Sequence, residues 1–350
     1  MNFTYSANPC RVIFGAGASG TVGAELDRLG VARAMVITTP PKADIAASFA
    51  RMIGERAGIV YPGAQMHTPT NVTEAALTAV SSVQADGILA IGGGSAIGLS
   101  KAIALRTDLP QLVIPTTFAG SEMTAILGET ERGVKLTQVS PKILPETVIY
   151  DPDLLLDLPL TVAGPSAMNA MAHAVEALYV RNANPATSLM AQEAISALGQ
   201  ALPRFLADAE DRTAWNDALY GAWLASTCAG TVGVALHHKI CHTLGGAFDL
   251  NHADLHCVML PYTAAFNGAA APEAMRRVAE ALGAEDAPGA LYDLMQHAAT
   301  AKSLKQMGLT MAALGKAADL AIRDPYDNPR PVKRDDLLAI LAAAYEGERP

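Results

Sequence analysis

A short apolar segment, Gly87–Ile91, runs directly into the glycine-rich turn Gly92-Gly93-Gly94-Ser95, and residues 96–104 after it have the composition of a helix. Glycine has no Cβ, so the backbone N–H groups of such a turn can approach a phosphate closely. The positive end of the following helix dipole faces the same anion. The sequence therefore predicts a cradle for the pyrophosphate of a dinucleotide, with Gly93, Gly94 and Ser95 at the cofactor. A tight strand-to-helix turn without a ligand is the alternative.

Other apolar runs of similar length predict a sheet around this segment. They are bounded by Gly, Pro or polar residues, as is typical of strands in a buried parallel sheet, and comprise Ala34–Thr38, Leu112–Pro115 and Thr147–Tyr150. The later part of the chain is rich in Ala and Leu and predicts helices, as in Pro185–Leu206, Thr213–Ala229 and Met275–Leu282. We expect an α/β, Rossmann-like dinucleotide-binding domain in residues 1–155 and an all-α substrate and catalytic domain in residues 156–350.

Composition excludes several classes of protein. A chain of 350 residues, of which 51% are hydrophobic, is long enough for two cores. The net charge is −9, and no stripe of Lys or Arg could follow a nucleic-acid backbone, so we expect no nucleic-acid partner. No signal sequence or run of about 18 apolar residues is present, which predicts a cytoplasmic protein with no membrane partner. The four cysteines are too scattered for a zinc ribbon.

A second polar turn follows the Leu112–Pro115 run and offers hydroxyl groups to a cofactor at the ends of the strands, namely those of Thr116, Thr117 and Ser121. A capped helix start is the alternative for this turn. The strand that ends near Thr39 has no terminal acid for a ribose hydroxyl and no nearby arginine for a 2′-phosphate, so NADH and NADPH are both expected to serve. The turn Gly15–Gly20 is weaker evidence, because no clear strand precedes it.

Histidines are concentrated in the helical half. Six of the eight lie between His173 and His256. Asn169 and His173 are four residues apart, as are His238 and His242, so each pair shares one face of a helix. Such clustering favours a shared site over scattered core histidines.

The type of these residues bears on metal binding. Three neutral imidazoles could hold a divalent metal, but most such sites add a carboxylate or thiolate. Asn169 offers only a neutral oxygen, and Cys241 is expected on another side of the helix from His242. We therefore expect no tightly bound metal, with the histidines acting as proton or hydrogen-bond donors to an anion.

These motifs together resemble the iron-containing alcohol dehydrogenase superfamily along nearly the whole chain. The resemblance implies the fold shared with dehydroquinate synthase, a nicotinamide cofactor, and an active site in a cleft between the two domains. In that superfamily an Asp and three His hold a metal; the matching positions are Asn169, His173, His238 and His252, with His242 near the nicotinamide. Only the resemblance makes Lys135 a cofactor-binding candidate. Without it, Lys135 is expected to be an ordinary surface lysine.

Two departures from the superfamily pattern remove negative charge: Asn169 replaces the metal-binding Asp, and Gly98 replaces the Asp three residues after Ser95. With the surrounding segments, they resemble the maleylacetate reductase branch, which reduces the double bond of maleylacetate to give 3-oxoadipate in aromatic-compound degradation. A dicarboxylate would be repelled by aspartates and attracted by histidines and Lys239. The resemblance also implies a homodimer, with Asn2–Val12 pairing as an edge strand.

The expected chemistry is hydride addition to the alkene, with charge developing on the ketone oxygen as an enolate. We expect His242 and His238 to stabilise the enolate and supply the proton, and His173 and His252 to bind or support the carboxylates, with this division left open. One alternative is a metal-dependent alcohol dehydrogenase in which the histidines hold Fe or Zn for a small carbonyl substrate. Another is a nucleotide-binding protein that has lost its chemistry.

Overall fold

The structure is a computed structural model, and it describes residues 3–131, 134–323 and 326–350, without the side chains of Val134 and Lys135. The chain forms two compact units: residues 7–157, and Leu158–Pro350 together with the N-terminal residues up to Ser6. Each unit is described by itself. The sequence places the domain boundary at residues 155 and 156, two residues before the division seen in the packing. An active site between the two halves stays a prediction.

Residues 7–157 form a parallel α/β sheet. The six strands are paired in the order β1-β8-β5-β4-β2-β3, and their bounds are Arg11–Phe14 (β1), Ala34–Ile37 (β2), Ala57–Tyr61 (β3), Gly87–Gly92 (β4), Gln111–Pro115 (β5) and Thr147–Tyr150 (β8). A separate antiparallel hairpin joins Ile126–Glu131 (β6) to Val134–Val139 (β7). The four predicted strands are therefore present, and the α/β class of this half is confirmed.

Successive side chains of a strand point to opposite faces of the sheet. Apolar side chains therefore lie on both faces, and helices cover both. On one face, Val36 and its neighbours pack against Val22–Leu29 (α1) and Ala43–Ile53 (α2). On the other, Met35 and Ile37 pack against Thr70–Val83 (α3) and Gly94–Thr107 (α4). The helices that follow β2 and β4 thus lie on opposite faces. A crevice opens at the carboxyl ends of two such adjacent strands, which is where open α/β sheets bind ligands.

The turn Gly15–Gly20 has an internal function. The backbone N–H groups of Gly17 and Ser19 donate to the carboxylate of Asp151, at 3.1 and 3.0 Å. This turn therefore binds an anion of its own chain. The expectation that no strand precedes it is wrong, since β1 ends at Phe14. That strand escapes sequence analysis because it lies at the sheet edge and is only partly buried.

Residues 3–10 form no strand. Of the Asn2–Val12 segment expected to pair as an edge strand, only Arg11 and Val12 lie in one, and their partners are in β8 of the same chain. Asn2 lies outside the described residues. The homodimer itself stays a prediction.

The second unit is helical, which confirms the fold class of this half. Its helices in the described residues are Leu160–Ala177 (α5), Pro185–Ala207 (α6), Arg212–Val232 (α7), Leu236–Phe248 (α8), His252–Gly268 (α9), Pro272–Leu282 (α10), Ala287–Ala298 (α11), Ala313–Ala321 (α12) and Arg334–Glu346 (α13). Apolar side chains of α8, α9, α12 and α13 form one buried core. Helix α5 is buried along nearly its whole length after Val162, so its polar residues need partners inside the protein.

Within the described residues, no single helix is both long and apolar enough to cross a membrane. Helices α7 and α8 meet those requirements only as a pair, bent by 97° at the break between them.

Candidate functional site

The glycine-rich turn has the geometry of an anion cradle. Gly92 ends β4 with a φ of +149°, a backbone conformation that favours glycine. Helix α4 begins two residues later, and no side chain caps its N-terminus. The first N–H groups of a helix have no partner within the helix. A Cβ on Gly94 would meet nothing closer than Ala119 at 4.0 Å, so space remains in front of these donors.

The other predicted cofactor residues surround the same turn. Strand β4 lies between β2 and β5, so Thr39 after β2 and Thr116 and Thr117 after β5 lie at the same edge of the sheet. A Cβ on Gly93 would stand 2.9 Å from the side chain of Thr117. The Thr117 hydroxyl is buried and has no hydrogen-bond partner among the described residues. An unpartnered hydroxyl beside an uncapped helix N-terminus fits a pyrophosphate.

A buried lysine holds the second polar turn. The Lys101 ammonium on α4 donates to the carbonyl oxygens of Ser121, Thr124 and Ile126. Burial lowers the pKa of Lys101 to about 7, while the nearby Glu122 raises it. Sequence analysis missed this lysine, although a lysine in an otherwise apolar helix is a signal for a buried partner. Ser121 is thus fixed in place by a group inside the domain.

The structure describes the surroundings of one of the two further positions taken from the family pattern, Gly98, but not those of the other, Lys135. Lys135 lies in β7, but its side chain is outside the described residues, so its role stays a prediction. Gly98 lies in α4, where an added Cβ would stand 2.4 Å from the Thr68 hydroxyl. Thr68 is buried and has a positive φ of 46°. The absence of a side chain at residue 98 therefore serves packing as well as charge.

The histidine cluster is formed by three helices of the second unit. Helix α5 contributes His173, α8 contributes His238 and His242, and α9 contributes His252. The rings of His173 and His238 stack with centroids 4.6 Å apart, and those of His242 and His252 stack at 5.9 Å. The structure thus brings the four predicted histidines into one cluster. Asn169 lies one turn before His173 and is buried, and its side-chain oxygen has no hydrogen-bond partner among the described residues.

Glu176 positions His238. Its fully buried carboxylate accepts from the backbone N–H groups of Ala235 and His237, at 2.9 and 2.8 Å, at the start of α8. The same carboxylate lies 2.6 Å from His238 Nδ1, which donates to it. The positive end of the α8 dipole stabilises a negative charge here. Glu176 therefore orients the His238 ring and leaves its Nε2, which has no partner in the described structure, for the cluster.

His242 and Lys239 share a contact with Tyr326. The Tyr326 hydroxyl lies 3.2 Å from His242 Nδ1. The Lys239 ammonium lies 5.6 Å from the centre of the Tyr326 ring, within the range of a cation–π interaction. Sequence analysis missed Tyr326, because it is 84 residues from His242 and no local pattern connects them.

Two further histidines, His237 and His256, are fully buried, and their rings contact those of the cluster. His237 Nε2 lies 2.8 Å from His256 Nδ1, and His237 Nδ1 lies 3.0 Å from the Thr263 hydroxyl. Burial lowers the pKa of both histidines well below the usual value, and neighbouring histidines lower it further. His173 shows the same shift for the same reasons. Burial therefore favours the neutral form of all three rings.

Two groups of possible metal ligands converge in the described residues, each with its donor atoms within 4.8 Å of one another. In the group His237, Cys241 and His256, two of the nitrogens already bond to each other, and burial keeps the pKa of the Cys241 thiol well above its usual value. The group His242, His252 and His256 consists of imidazoles alone. Many structural and catalytic metal sites include an anionic ligand. We therefore expect these donors to hold a divalent metal less tightly than a set that includes a carboxylate or a thiolate.

Comparisons with known proteins agree with this architecture. The family model described as iron-containing alcohol dehydrogenase matches residues 9–152, and the model of the C-terminal part of the same family matches residues 163–345. A maleylacetate reductase from Burkholderia cepacia is 48% identical over 348 residues, which cover 99% of each chain. One from Pseudomonas aeruginosa is 47% identical over 350 residues, covering 100% of this chain and 99% of that protein.

A solved structure shows the same similarity in three dimensions. The crystal structure of maleylacetate reductase from Agrobacterium tumefaciens has a TM-score of 0.96 at 46% identity and covers 100% of both chains. Both halves of the fold and nearly every residue of the sequence are included in these matches. The chain therefore belongs to the iron-containing alcohol dehydrogenase family, in the branch of the maleylacetate reductases.

Proposed function

We propose that this protein is an NAD(P)H-dependent reductase that converts maleylacetate to 3-oxoadipate in the degradation of aromatic compounds. The observation that carries the proposal is the donor set of the histidine cluster. Asn169 supplies an amide where a metal-binding family member has an aspartate, and Glu176 is engaged by α8 and His238. A dicarboxylate substrate is favoured by such a site, since fewer negative charges oppose it. The protein is proposed to act as a cytoplasmic homodimer.

The cofactor is proposed to bind the first domain through Gly93, Gly94 and Ser95 at the pyrophosphate. The uncapped start of α4 and the unpartnered Thr117 hydroxyl support this assignment. Thr39 and Thr116 lie at the same edge of the sheet. Ser121, in the loop after β5, and Lys135, in β7, are proposed to contribute as well. Residues around Thr39 favour neither NADH nor NADPH. A bound nicotinamide supplies the hydride.

The second domain is proposed to supply the charges and the proton. As the alkene carbon β to the ketone is reduced, negative charge moves to the ketone oxygen as an enolate. His238 and His242 are proposed to stabilise this oxygen and to give a proton to the adjacent carbon, which completes the reduction. Because the His238 Nδ1–H bonds to Glu176, His238 donates through Nε2 only when both of its ring nitrogens carry a hydrogen. Glu176 and Tyr326 orient the two rings. His173, His252 and Lys239 bind or support the carboxylates.

The reaction is proposed to proceed without a bound metal. The possible metal ligands in the cluster are the Asn169 amide, several imidazoles and the buried Cys241 thiol. Two of the imidazoles, those of His237 and His256, already bond to each other. An enolate can be stabilised by hydrogen-bond donors aimed at the oxygen where charge develops. No step therefore requires a Lewis acid.

One assay tests the proposal: oxidation of NADH is followed with maleylacetate and then with simple aldehydes, each with and without a strong chelator. We expect chelator-resistant oxidation with maleylacetate. Replacing His242 with Ala should lower turnover on the order of 10²-fold or more while the Kd for NADH stays near that of the wild type. The exposed His297 provides the control substitution to Ala.

Chelator-sensitive reduction of aldehydes would contradict the proposal and favour the metal-dependent alcohol dehydrogenase. Binding of NADH without turnover of any substrate would indicate a nucleotide-binding protein instead. Full turnover by the His242→Ala variant would remove that residue from the mechanism.

A further inference from the structure

A buried chain of three polar groups lies behind the histidine cluster, and the proposed mechanism does not use it. Thr263 and His256 lie on α9, and His237 lies on α8. The Thr263 hydroxyl is 3.0 Å from His237 Nδ1, and His237 Nε2 is 2.8 Å from His256 Nδ1. All three residues have no exposed surface. Each group must therefore find its hydrogen-bond partners within the protein.

Thr263 fixes the direction of the first bond. Its hydroxyl oxygen lies 3.1 and 3.0 Å from the carbonyl oxygens of Met259 and Leu260. Carbonyl oxygens only accept hydrogen bonds, so the single hydroxyl hydrogen of Thr263 points toward these two oxygens and is shared between them. The Thr263 oxygen is then left as an acceptor for His237. His237 Nδ1 therefore carries a hydrogen and donates it.

The second bond follows from the first. A neutral imidazole has one N–H and one accepting nitrogen. Because His237 donates through Nδ1, its Nε2 accepts, and the hydrogen of the second bond belongs to His256 Nδ1. The Cys241 thiol lies 3.8 Å from the same His237 Nε2 and retains its hydrogen, as burial dictates. A weak S–H donor at this nitrogen agrees with an accepting Nε2.

The last nitrogen of the chain faces the cluster. His256 Nε2 is buried and has no hydrogen-bond partner in the described parts of the chain. The His256 ring is in edge contact with the His252 ring, with centroids 4.4 Å apart. Donor atoms of His242, His252 and His256 lie within 4.8 Å of one another. A fixed hydrogen on Nδ1 gives this Nε2 a lone pair and no hydrogen.

We propose that Thr263 and His237 are positioning residues that hold His256 in the Nδ1–H tautomer, so that His256 presents a proton-accepting nitrogen to His242 and His252. An accepting nitrogen cannot bind a substrate carboxylate. It can instead accept an N–H from the ring of His242 or His252, since donor atoms of the three residues lie within 4.8 Å of one another. Anion binding then falls to the other members of the cluster. Only the kinetic consequence of this inference rests on the proposed function.

The tautomer is measured directly by ¹⁵N NMR of the histidine rings in the intact protein, which has eight histidines. His256→Gln assigns the resonances of His256 by removing them. We expect a protonated Nδ1 and an unprotonated Nε2 at His256. Thr263→Val removes the acceptor of His237, so a substantial Nε2–H population should appear at His256. Thr263→Ser keeps the hydroxyl and should keep the wild-type spectrum.

Kinetics provide the second measurement. Thr263→Val should lower kcat at least about tenfold, with the KM for NADH unchanged. Thr263→Ser should restore kcat to within about threefold. His237→Gln offers an oxygen to the His256 Nδ1–H and should also retain activity, whereas His237→Leu should not. Thr227→Val is the matched control, because Thr227 also donates to the carbonyl four residues earlier in its helix.

An Nε2–H tautomer at His256 in the wild-type protein would overturn the inference, whether or not maleylacetate is a substrate. So would a wild-type His256 spectrum in folded Thr263→Val. If the variant does not fold, the wild-type spectrum alone decides the question. A protein with the expected tautomer but no turnover of maleylacetate would contradict the proposed function and leave the tautomer inference standing.

Discussion

At the scale of single residues, the chemistry of the cluster depends on which groups are already occupied. Glu176 is a buried carboxylate three residues from His173, yet it faces α8 and takes three hydrogen bonds there. Asn169 lies one turn earlier and has an unpartnered oxygen. Both side chains are buried, but the oxygens of the acid are already hydrogen-bonded and the oxygen of the amide is not. We therefore expect the charge near a bound substrate to depend on residue 169 rather than on residue 176.

Asn169→Asp tests this view of the charge. The added carboxylate should raise the KM for maleylacetate about tenfold, a change of roughly 1.4 kcal/mol, because it repels a dicarboxylate. It should also raise the affinity for Zn²⁺, since an anionic ligand joins the imidazoles. Steady-state kinetics and metal titration measure the two effects. Asn182→Asp adds the same charge at an exposed position and should change neither. An unchanged KM in Asn169→Asp would refute the electrostatic explanation.

At the scale of elements, a side chain in one element holds the loop that follows another. Lys101 on α4 donates to three carbonyl groups between Ser121 and Ile126, after β5. The glycine-rich turn begins the same helix. Helix α4 therefore positions both segments proposed to bind the cofactor. Its buried ammonium links them.

Lys101→Met tests this connection. Methionine has a similar length but cannot donate, so three buried carbonyl groups lose their hydrogen-bond donor and Glu122 loses a nearby positive charge. We expect the free energy of unfolding to fall by about 3 kcal/mol or more and the Kd for NADH to rise. Urea denaturation and fluorescence titration measure these changes. The control is Lys142→Met, because Lys142 is exposed and pairs with the exposed Asp108 at 3.3 Å. If a folded Lys101→Met variant bound NADH with wild-type affinity, Lys101 would have no part in cofactor binding.

At the scale of the whole molecule, buried neutral histidines make stability depend on pH. Burial lowers the pKa of His173, His237 and His256 well below the usual value. The unfolded chain takes up a proton at each below about pH 6.5, whereas the folded protein does not. The unfolded state binds more protons there, so the free energy of unfolding must fall as the pH falls.

The expected slope is about 1.4 kcal/mol per pH unit for each histidine once the pH is well below 6.5. Urea denaturation between pH 7.5 and 5.0 measures it. His237→Gln removes one of these groups and should make the slope shallower by about one proton. A stability that is constant, or that rises, below pH 6.5 in the wild-type protein would contradict these pKa shifts.

Local patterns in the sequence predicted the sheet strands β2, β4, β5 and β8, because short apolar runs between polar residues are typical of buried parallel strands. They missed β1 and β3, which lie at the two edges of the sheet and are only partly buried. The glycine-rich turn and the clustering of histidines were also visible, since both depend on residues close together in the chain.

The sequence by itself thus determined the fold class, the family and which side chains are available for the chemistry. Only the tertiary structure decided which of them meet: Glu176 with His238, Tyr326 with His242, Thr263 with His237, and His237 with His256. It also showed that Gly98 leaves room for Thr68. The physical reason is that hydrogen bonds and packing act over a few ångströms in space, whereas these partners are 19 to 84 residues apart along the chain. No local periodicity brings them together.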